Sequence, residues 1–222
     1  MIPLRDINPH RTFPIVNYVL IGVNVIIFLL QISLGKSYEA AIYQFGLVPV
    51  RLMNDVQMFD FGLMTVLPVF SSMFMHGGWM HLIGNMLFLH VFGDNIEDRL
   101  GHIRYIFFYL LAGVGGAAGQ IIINPISAIP MVGASGAIAG VLGAYILMFP
   151  RAKILTLIPI FFFIQFVELP AFLFLGIWFL MQLLSGTLSL GIGGDAGGVA
   201  WWAHIGGFVA GATLLFVFRK RK

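Results

Sequence analysis

The chain of 222 residues contains no cysteine. That excludes disulfides, thiolate metal sites and a cysteine nucleophile. Charge is scarce too. Asp, Glu, Lys and Arg together make up 9% of the residues, against about 25% in an average soluble domain. So few charges cannot cover a water-facing surface. With 59% hydrophobic residues and a mean hydropathy of +0.97, the chain belongs in a bilayer. Its isoelectric point near 9.4 suggests a nucleic-acid binder, but the basic residues are confined to particular loops and carry a different message.

What is present is a series of apolar runs. Six membrane helices are expected, at about 15–34, 79–96, 105–123, 132–149, 169–185 and 200–218, each close to the roughly 17 to 25 residues that a span needs. The first run is too long for the core of a signal peptide, and no clear small-residue cleavage site follows it. Residues 35–78, with FGLVPV and FGLMTVLPVF, are too long and too apolar for a plain loop. They read as a structured element lying partly in the membrane interface. Residues 154–184 hold one span or two, and Pro159, Glu168 and Pro170 interrupt them. Assigning 154–168 to an interfacial connection gives six spans. With the N-terminus in the cytoplasm, Arg5, Arg11, Arg99, Arg104, Arg151, Lys153, Arg219, Lys220, Arg221 and Lys222 then lie inside, and only Lys36 and Arg51 outside. A seventh span would move the RKRK tail outside and spoil this bias. The expected architecture is an all-α membrane protein. It has a short cytoplasmic segment (1–14), a six-helix bundle (15–218) with a long, partly embedded first loop, and a basic cytoplasmic tail (219–222).

On this topology the polar residues converge. Ser135 heads the fourth span, in MVGASGAIAGVLGAY. His204 is near the start of the sixth, in AWWAHIGGFVAG. His81 and Asn85 lie in the first turns of the second, in HGGWMHLIGN. At about 1.5 Å rise per residue, all four sit at one depth near the outer helix ends. Ser135, Gly136, Ala139, Gly140, Gly143 and Ala144 form a stripe without bulk, and His204, Gly207 and Gly211 share a face. Such small-residue stripes let membrane helices pack backbone to backbone. Contact between them would bring an imidazole to a serine hydroxyl, the arrangement of an activated nucleophile with a general base. His81 and Asn85, four residues apart, share a face. With the free Ser135 N–H of a helix first turn, they are candidate donors for an oxyanion.

These residues resemble the rhomboid intramembrane serine proteases, over about the second to sixth spans. The family pattern GxSG matches Gly133 to Gly136, which implies Ser135 as nucleophile. His204 with Gly207 matches the family histidine, and His81 with Asn85 the family H-x-x-x-N, implying oxyanion donors. His76 matches a further histidine that supports the site. Glu97 and Arg99 match a Glu-x-Arg implied to be structural. The resemblance implies cleavage of transmembrane helices of other proteins near the outer face, a preference for small residues at the cut, and no metal or organic cofactor. Two departures stand out. Ala139 occupies a position where some members stack a tyrosine on the histidine, and residues 35–78 lack a Trp-Arg pair found in some first loops.

The remaining polar residues have plainer readings. Asn17 and Asn24 are expected to bond between helices, His90 to be structural, and His10 and His102 to be solvated. Glu168 is expected at the interface. Asp195, in the flexible run GIGGDAGG, is a weak third member for the dyad, and residues 186–198 are a candidate mobile cap. Trp201 and Trp202 read as an interfacial aromatic belt. A transporter would need polar residues through the full depth, which the inner halves of the fourth and sixth spans lack. A metal site built from His76, His81, His90 and His204 finds no HExxH motif. An inactive rhomboid-like client-binding protein would lack the serine or the histidine. The expected location is the plasma (inner) membrane, since no organelle presequence is seen.

Overall fold

The computed structural model describes all residues except 10, 161–162, 192–197 and 220–222. The chain begins with strand β1 (Ile2–Asp6) and helix α1 (Ile15–Ser33). Three short helices follow: α2 (Tyr38–Phe45), α3 (Pro49–Gln57) and α4 (Leu63–Ser71). Then come α5 (Trp79–Leu100), α6 (His102–Ile123) and α7 (Ser135–Met148). Strands β2 (Lys153–Ile160) and β3 (Phe163–Pro170) lead into α8 (Ala171–Gly191) and α9 (Trp201–Phe218).

The molecule is mostly helical and crosses the membrane several times. Among the described residues α1, α6, α8 and α9 are long and apolar enough to span a bilayer. The other two expected spans fall short by the same measure. α7 has only 14 residues. α5 has 22, but it carries Asp94, Glu97, Asp98 and Arg99 in its last two turns. The core is apolar, but unlike that of a water-soluble bundle the outer surface is apolar as well, and several polar residues are drawn inside. On α1 the buried residues include Asn17, Asn24 and Gln31, while Val19, Ile26, Leu29 and Leu30 are exposed. Lipid is the solvent for the apolar side, and the polar side chains find partners inside.

α7 is the central element, buried on all sides from Ala137 to Tyr145. Glycines set its distance from α9. A methyl group on Gly207 or Gly211 would overlap the carbonyl oxygens of Gly136 and Gly140, and one on Gly143 would overlap that of Phe208. Against α6 the spacing is nearly as tight, since a Cβ at Gly116 would lie 3.1 Å from the Gly136 Cα, and the same Cβ would lie 2.8 Å from the Ala203 carbonyl oxygen of α9. Lipid tails are as apolar as leucine, so close backbone approach of this kind, and not hydrophobic burial, holds such helices together.

The all-α expectation is corrected by a three-stranded antiparallel sheet in the order β1-β2-β3. Residues 154–168, read from sequence as an interfacial connection, form most of its hairpin, with Lys153 opposite Pro170 and Ile160 opposite Phe163. Residues 2–6 add the third strand, Ile2 opposite Leu157. The β-branched residues of ILTLIPI fall on alternate positions, and Ile154 and Thr156 are fully buried. That period of two wins over a helix. A short apolar run does not declare its own period. Lys153 and Glu168 pair at 2.9 Å across the root of the hairpin.

The end of the bundle near this sheet is tied by carboxylates. Glu97, completely buried, accepts from the backbone N–H groups of Val16 (3.0 Å) and Asn17 (2.7 Å). These are free donors at the α1 N-terminus, where a negative charge is favoured. His102 is not simply solvated; its Nδ1 lies 2.5 Å from Glu97. Arg99 rests on the Phe149 ring at 5.1 Å. Asn17 bridges α1 to Leu89 of α5 and Tyr105 of α6, whereas Asn24 donates to Leu20 within its own helix.

Asp6 of β1 accepts from Tyr145 (2.5 Å) and Asn95 (2.9 Å). Burial, with a smaller push from the Asp94 charge, outweighs these bonds and raises its pKa from 3.8 to about 6. The folded form therefore holds this proton more tightly than the unfolded chain does. The resulting stabilisation is complete below pH 3.8 and is lost as pH rises through about 6. Thermal unfolding in detergent should show it: Asp6→Asn is expected to gain stability relative to wild type between pH 5 and pH 7. Parallel pH curves for the two proteins would refute the assignment.

Candidate active site

Ser135 is the first residue of α7 and follows a loop that is held on both sides. Gly133 adopts φ +130°, which an L side chain rarely tolerates. Its N–H donates to the Ser72 carbonyl at 2.9 Å, and Met131 exchanges two backbone hydrogen bonds with Leu47 (2.8 and 3.1 Å). The long first connection thus pins the strand that delivers the serine. Arg51 anchors that connection, donating to the carbonyls of Tyr43 (2.9 Å) and Gly46 (3.1 Å) at the end of α2.

The Ser135 hydroxyl lies 2.9 Å from His204 Nε2. The other ring nitrogen, Nδ1, lies 2.8 Å from Gln182 Oε1 on α8. The Trp178 ring is tilted 33° to the imidazole at 6.0 Å, and Trp201 meets it edge-on at 6.1 Å. The sequence reading left the imidazole without a stacking partner because Ala139 is small; α8 supplies the aromatic cover instead. Neither Gln182 nor Trp178 was singled out from sequence. The available signal was that Gln182 is a lone amide in an otherwise apolar span, a position that is costly unless used.

His81 and Asn85 flank the same loop. A Cβ on Gly133 would sit 2.6 Å from His81 Nε2 and 3.6 Å from Asn85 Nδ2. Asn85 is buried, and its Nδ2 has no hydrogen-bond partner among the described residues. It is a donor held in reserve beside the serine. The Gly77 N–H approaches His81 Nδ1 at 3.5 Å, which leaves Nε2 to face the loop. His76 is fully buried, with its ring edge-on to His81 at 5.1 Å and to Phe28 at 6.4 Å. Gln31 clamps its backbone, accepting from the N–H at 3.0 Å and donating to the carbonyl at 3.3 Å. Trp202 is likewise tied, its N–H donating to Gln120 at 3.1 Å.

These groups open into a cavity of about 890 Å³, lined by Trp79, His81, Asn85, Ser135, Trp178 and His204 among others. Of the residues expected at the site, Ser135, His204, His81, Asn85, His76, Gly133, Gly136 and Gly207 lie together at one end of the bundle. Glu97 and Arg99 lie at the opposite end of α5. His90 is exposed on α5, 6.0 Å from the Tyr18 ring. Asp195, His10 and residues 220–222 lie outside the described residues, as do 192–197 of the expected cap. Residues 186–191 are the last turns of α8. Among the described residues no three His, Asp or Glu side chains converge as metal ligands. The arrangement can remove a proton from a hydroxyl in a partly dry cavity and can offer donors to a negative oxygen beside it.

The Rhomboid domain family profile matches residues 64–221. RHOMBOID-like protein 1 of Arabidopsis thaliana is 31% identical over 153 residues, 69% of this chain and 34% of that protein. Rhomboid protein 1, mitochondrial, of Saccharomyces cerevisiae is 28% identical over 145 residues, covering 64% of this chain and 38% of the relative. Rhomboid protease GluP of Bacillus subtilis is 30% identical over 132 residues, covering 59% and 24%. The chain spans well under half the length of these relatives. The yeast relative carries a mitochondrial name, so this kinship does not by itself assign the chain to the plasma membrane expected from its sequence.

Proposed function

The chain belongs to the rhomboid family, and we propose that it is an intramembrane serine endopeptidase that cleaves transmembrane helices of other membrane proteins. The observation that carries this reading is the 2.9 Å contact between Ser135 Oγ and His204 Nε2 in a cavity that also holds an unspent Asn85 amide. A substrate helix must unwind locally, because its peptide carbonyls are already hydrogen-bonded. Ser135 Oγ attacks the freed carbonyl carbon, and its proton passes to His204 Nε2. The carbonyl oxygen becomes an oxyanion that accepts hydrogen bonds from His81, Asn85 and the Ser135 N–H. As the C–N bond breaks, His204 returns the proton to the leaving nitrogen. Water entering through the cavity then attacks the acyl ester while His204 takes its proton. As the bond from the acyl carbon to Oγ breaks, His204 gives that proton to Oγ, releasing the carboxylic acid and regenerating Ser135.

The topology that goes with this reading has six membrane-crossing elements, both chain ends in the cytoplasm, and the cavity toward the outer face. The charge distribution supports it, with ten of twelve Lys and Arg on one side. The test is a fluorophosphonate probe on the detergent-solubilised protein. Labelling is expected at Ser135 and is expected to disappear in His204→Ala. Undiminished labelling in that variant would remove His204 as the base.

A further inference from the structure

We infer that Gln182 is a positioning residue for the dyad: it fixes which nitrogen of His204 carries the proton and so makes Nε2 the basic one. The inference rests on the serine-protease reading above. It starts from the amide's own orientation. Gln182 is 5% exposed, and its Nε2 donates to the Trp178 carbonyl of the preceding turn at 3.0 Å. Turning the amide over would set two carbonyl-type oxygens against each other. The Oε1 atom therefore faces His204 Nδ1, at 2.8 Å. An amide oxygen has no proton to give, so this contact is a hydrogen bond only if Nδ1 carries the proton. In a neutral imidazole Nε2 is then bare, and the Ser135 hydroxyl, 2.9 Å away, donates to it.

The same helix sets the plane of the ring. Trp178 precedes Gln182 by one turn and lies over the imidazole at 6.0 Å, so one face of α8 supplies both the hydrogen-bond acceptor and the aromatic cover. Ala139, fully buried on α7, leaves that task open on the serine's own helix. When His204 becomes imidazolium during attack, Oε1 keeps its bond to Nδ1–H, and the ring does not swing away while it carries the proton. An amide does this without adding a charge, in a setting where a buried carboxylate would be costly.

The test compares wild type with Gln182→Leu and Gln182→Glu in detergent micelles. Three quantities are measured: the pH dependence of fluorophosphonate labelling, thermal unfolding, and the ¹⁵N resonances of the histidine rings, with His204 assigned by its loss in His204→Ala. Wild type should show the tautomer protonated at Nδ1, and Gln182→Leu a mixture. Labelling by Gln182→Leu should fall about 10- to 100-fold, by analogy with the range seen when the hydrogen-bond partner that orients a metal-ligating imidazole is removed. Its melting temperature should be maintained. In Gln182→Glu the acceptor is kept, so labelling should recover, with its acid limb moved to higher pH by about 1 unit or more because a carboxylate favours the imidazolium. The inference falls if wild-type His204 carries its proton on Nε2, or if Gln182→Leu keeps the wild-type rate and pH profile. If Ser135 never reacts while the ¹⁵N spectrum still depends on Gln182, the protease reading fails and the control of the imidazole by Gln182 stands.

Discussion

Replacing Ser135 by alanine is expected to lower cleavage of a reporter transmembrane helix by about 10⁴-fold or more, the loss typical of deleting a nucleophile that acts as a unit with its base. The cavity, the Asn85 amide and the His81 ring would remain, so binding should survive and the deficit should appear in turnover. Stability should hardly change. The hydroxyl's bond to His204 is one neutral hydrogen bond, worth about 1 kcal/mol, and Ser135 sits at a helix start that uses no side-chain cap. Purified wild type and variant in liposomes, with matched thermal unfolding curves, make the comparison. Cleavage at the wild-type rate by Ser135→Ala would refute the nucleophile. Absence of cleavage in both proteins, with no probe labelling, would identify the chain as a non-catalytic member of its family.

Gly207→Val should be nearly as damaging, for a mechanical reason. Any Cβ at Gly207 collides with the Gly136 carbonyl oxygen and comes within 2.9 Å of the Gly136 carbonyl carbon. Gly136 follows the serine, and Gly207 is one turn beyond His204, so the collision lies beside the dyad. Backbone atoms cannot rotate aside as a side chain can, and the two helices must part. A misplacement of about 1 Å costs about 100-fold in rate, and overpacking of this kind typically costs about 1–3 kcal/mol of stability. The expected result is activity at or below about 1% of wild type with a lowered melting temperature, and Gly207→Ala lying between. Gly176→Ala on α8 is the matched control, since nothing lies within 4 Å of the added methyl. Full activity in Gly207→Val would mean that the spacing of α7 and α9 does not govern the reaction.

The contrast between those two glycines explains what could be read from the sequence. A stripe of small residues at helical spacing has one physical meaning in lipid, and the close approach of α7 to α9 followed from it. So did the clustering of Ser135, His204, His81 and Asn85, because residues near the start of three helices running the same way must share a depth. The sheet was hidden for the opposite reason. Residues 154–168 are largely apolar on both faces, so hydropathy does not separate strand from helix there, and only the alternation of β-branched residues in ILTLIPI hints at a strand. The partner strand, residues 2–6, contributes nothing until it is paired. Gln182 and Gln31 stand out in the sequence as amides in apolar spans, but nothing there says what they meet. Their roles depend on which nitrogen or carbonyl happens to lie opposite, and that is a property of the assembled bundle. Asn24 shows the same limit: its amide donates to Leu20 in its own helix while it also lies against Tyr109 of α6, and Asn17, two turns earlier, joins three helices.

The pairing of β1 with β2 also constrains how the molecule comes into being. Asp6 and Tyr145 are separated by 139 positions in the chain. Asp6 also pairs with Ile154 of β2, 148 positions on, so at translation speeds of ~5–20 residues per second the first strand waits roughly 7 to 30 s for its neighbouring strand to emerge from the ribosome. Throughout that interval β1 has no strand partner, although Asn95 of α5 becomes available to Asp6 earlier, and α1 inserts before the strands pair. Closure of this end is accordingly a late event in biogenesis.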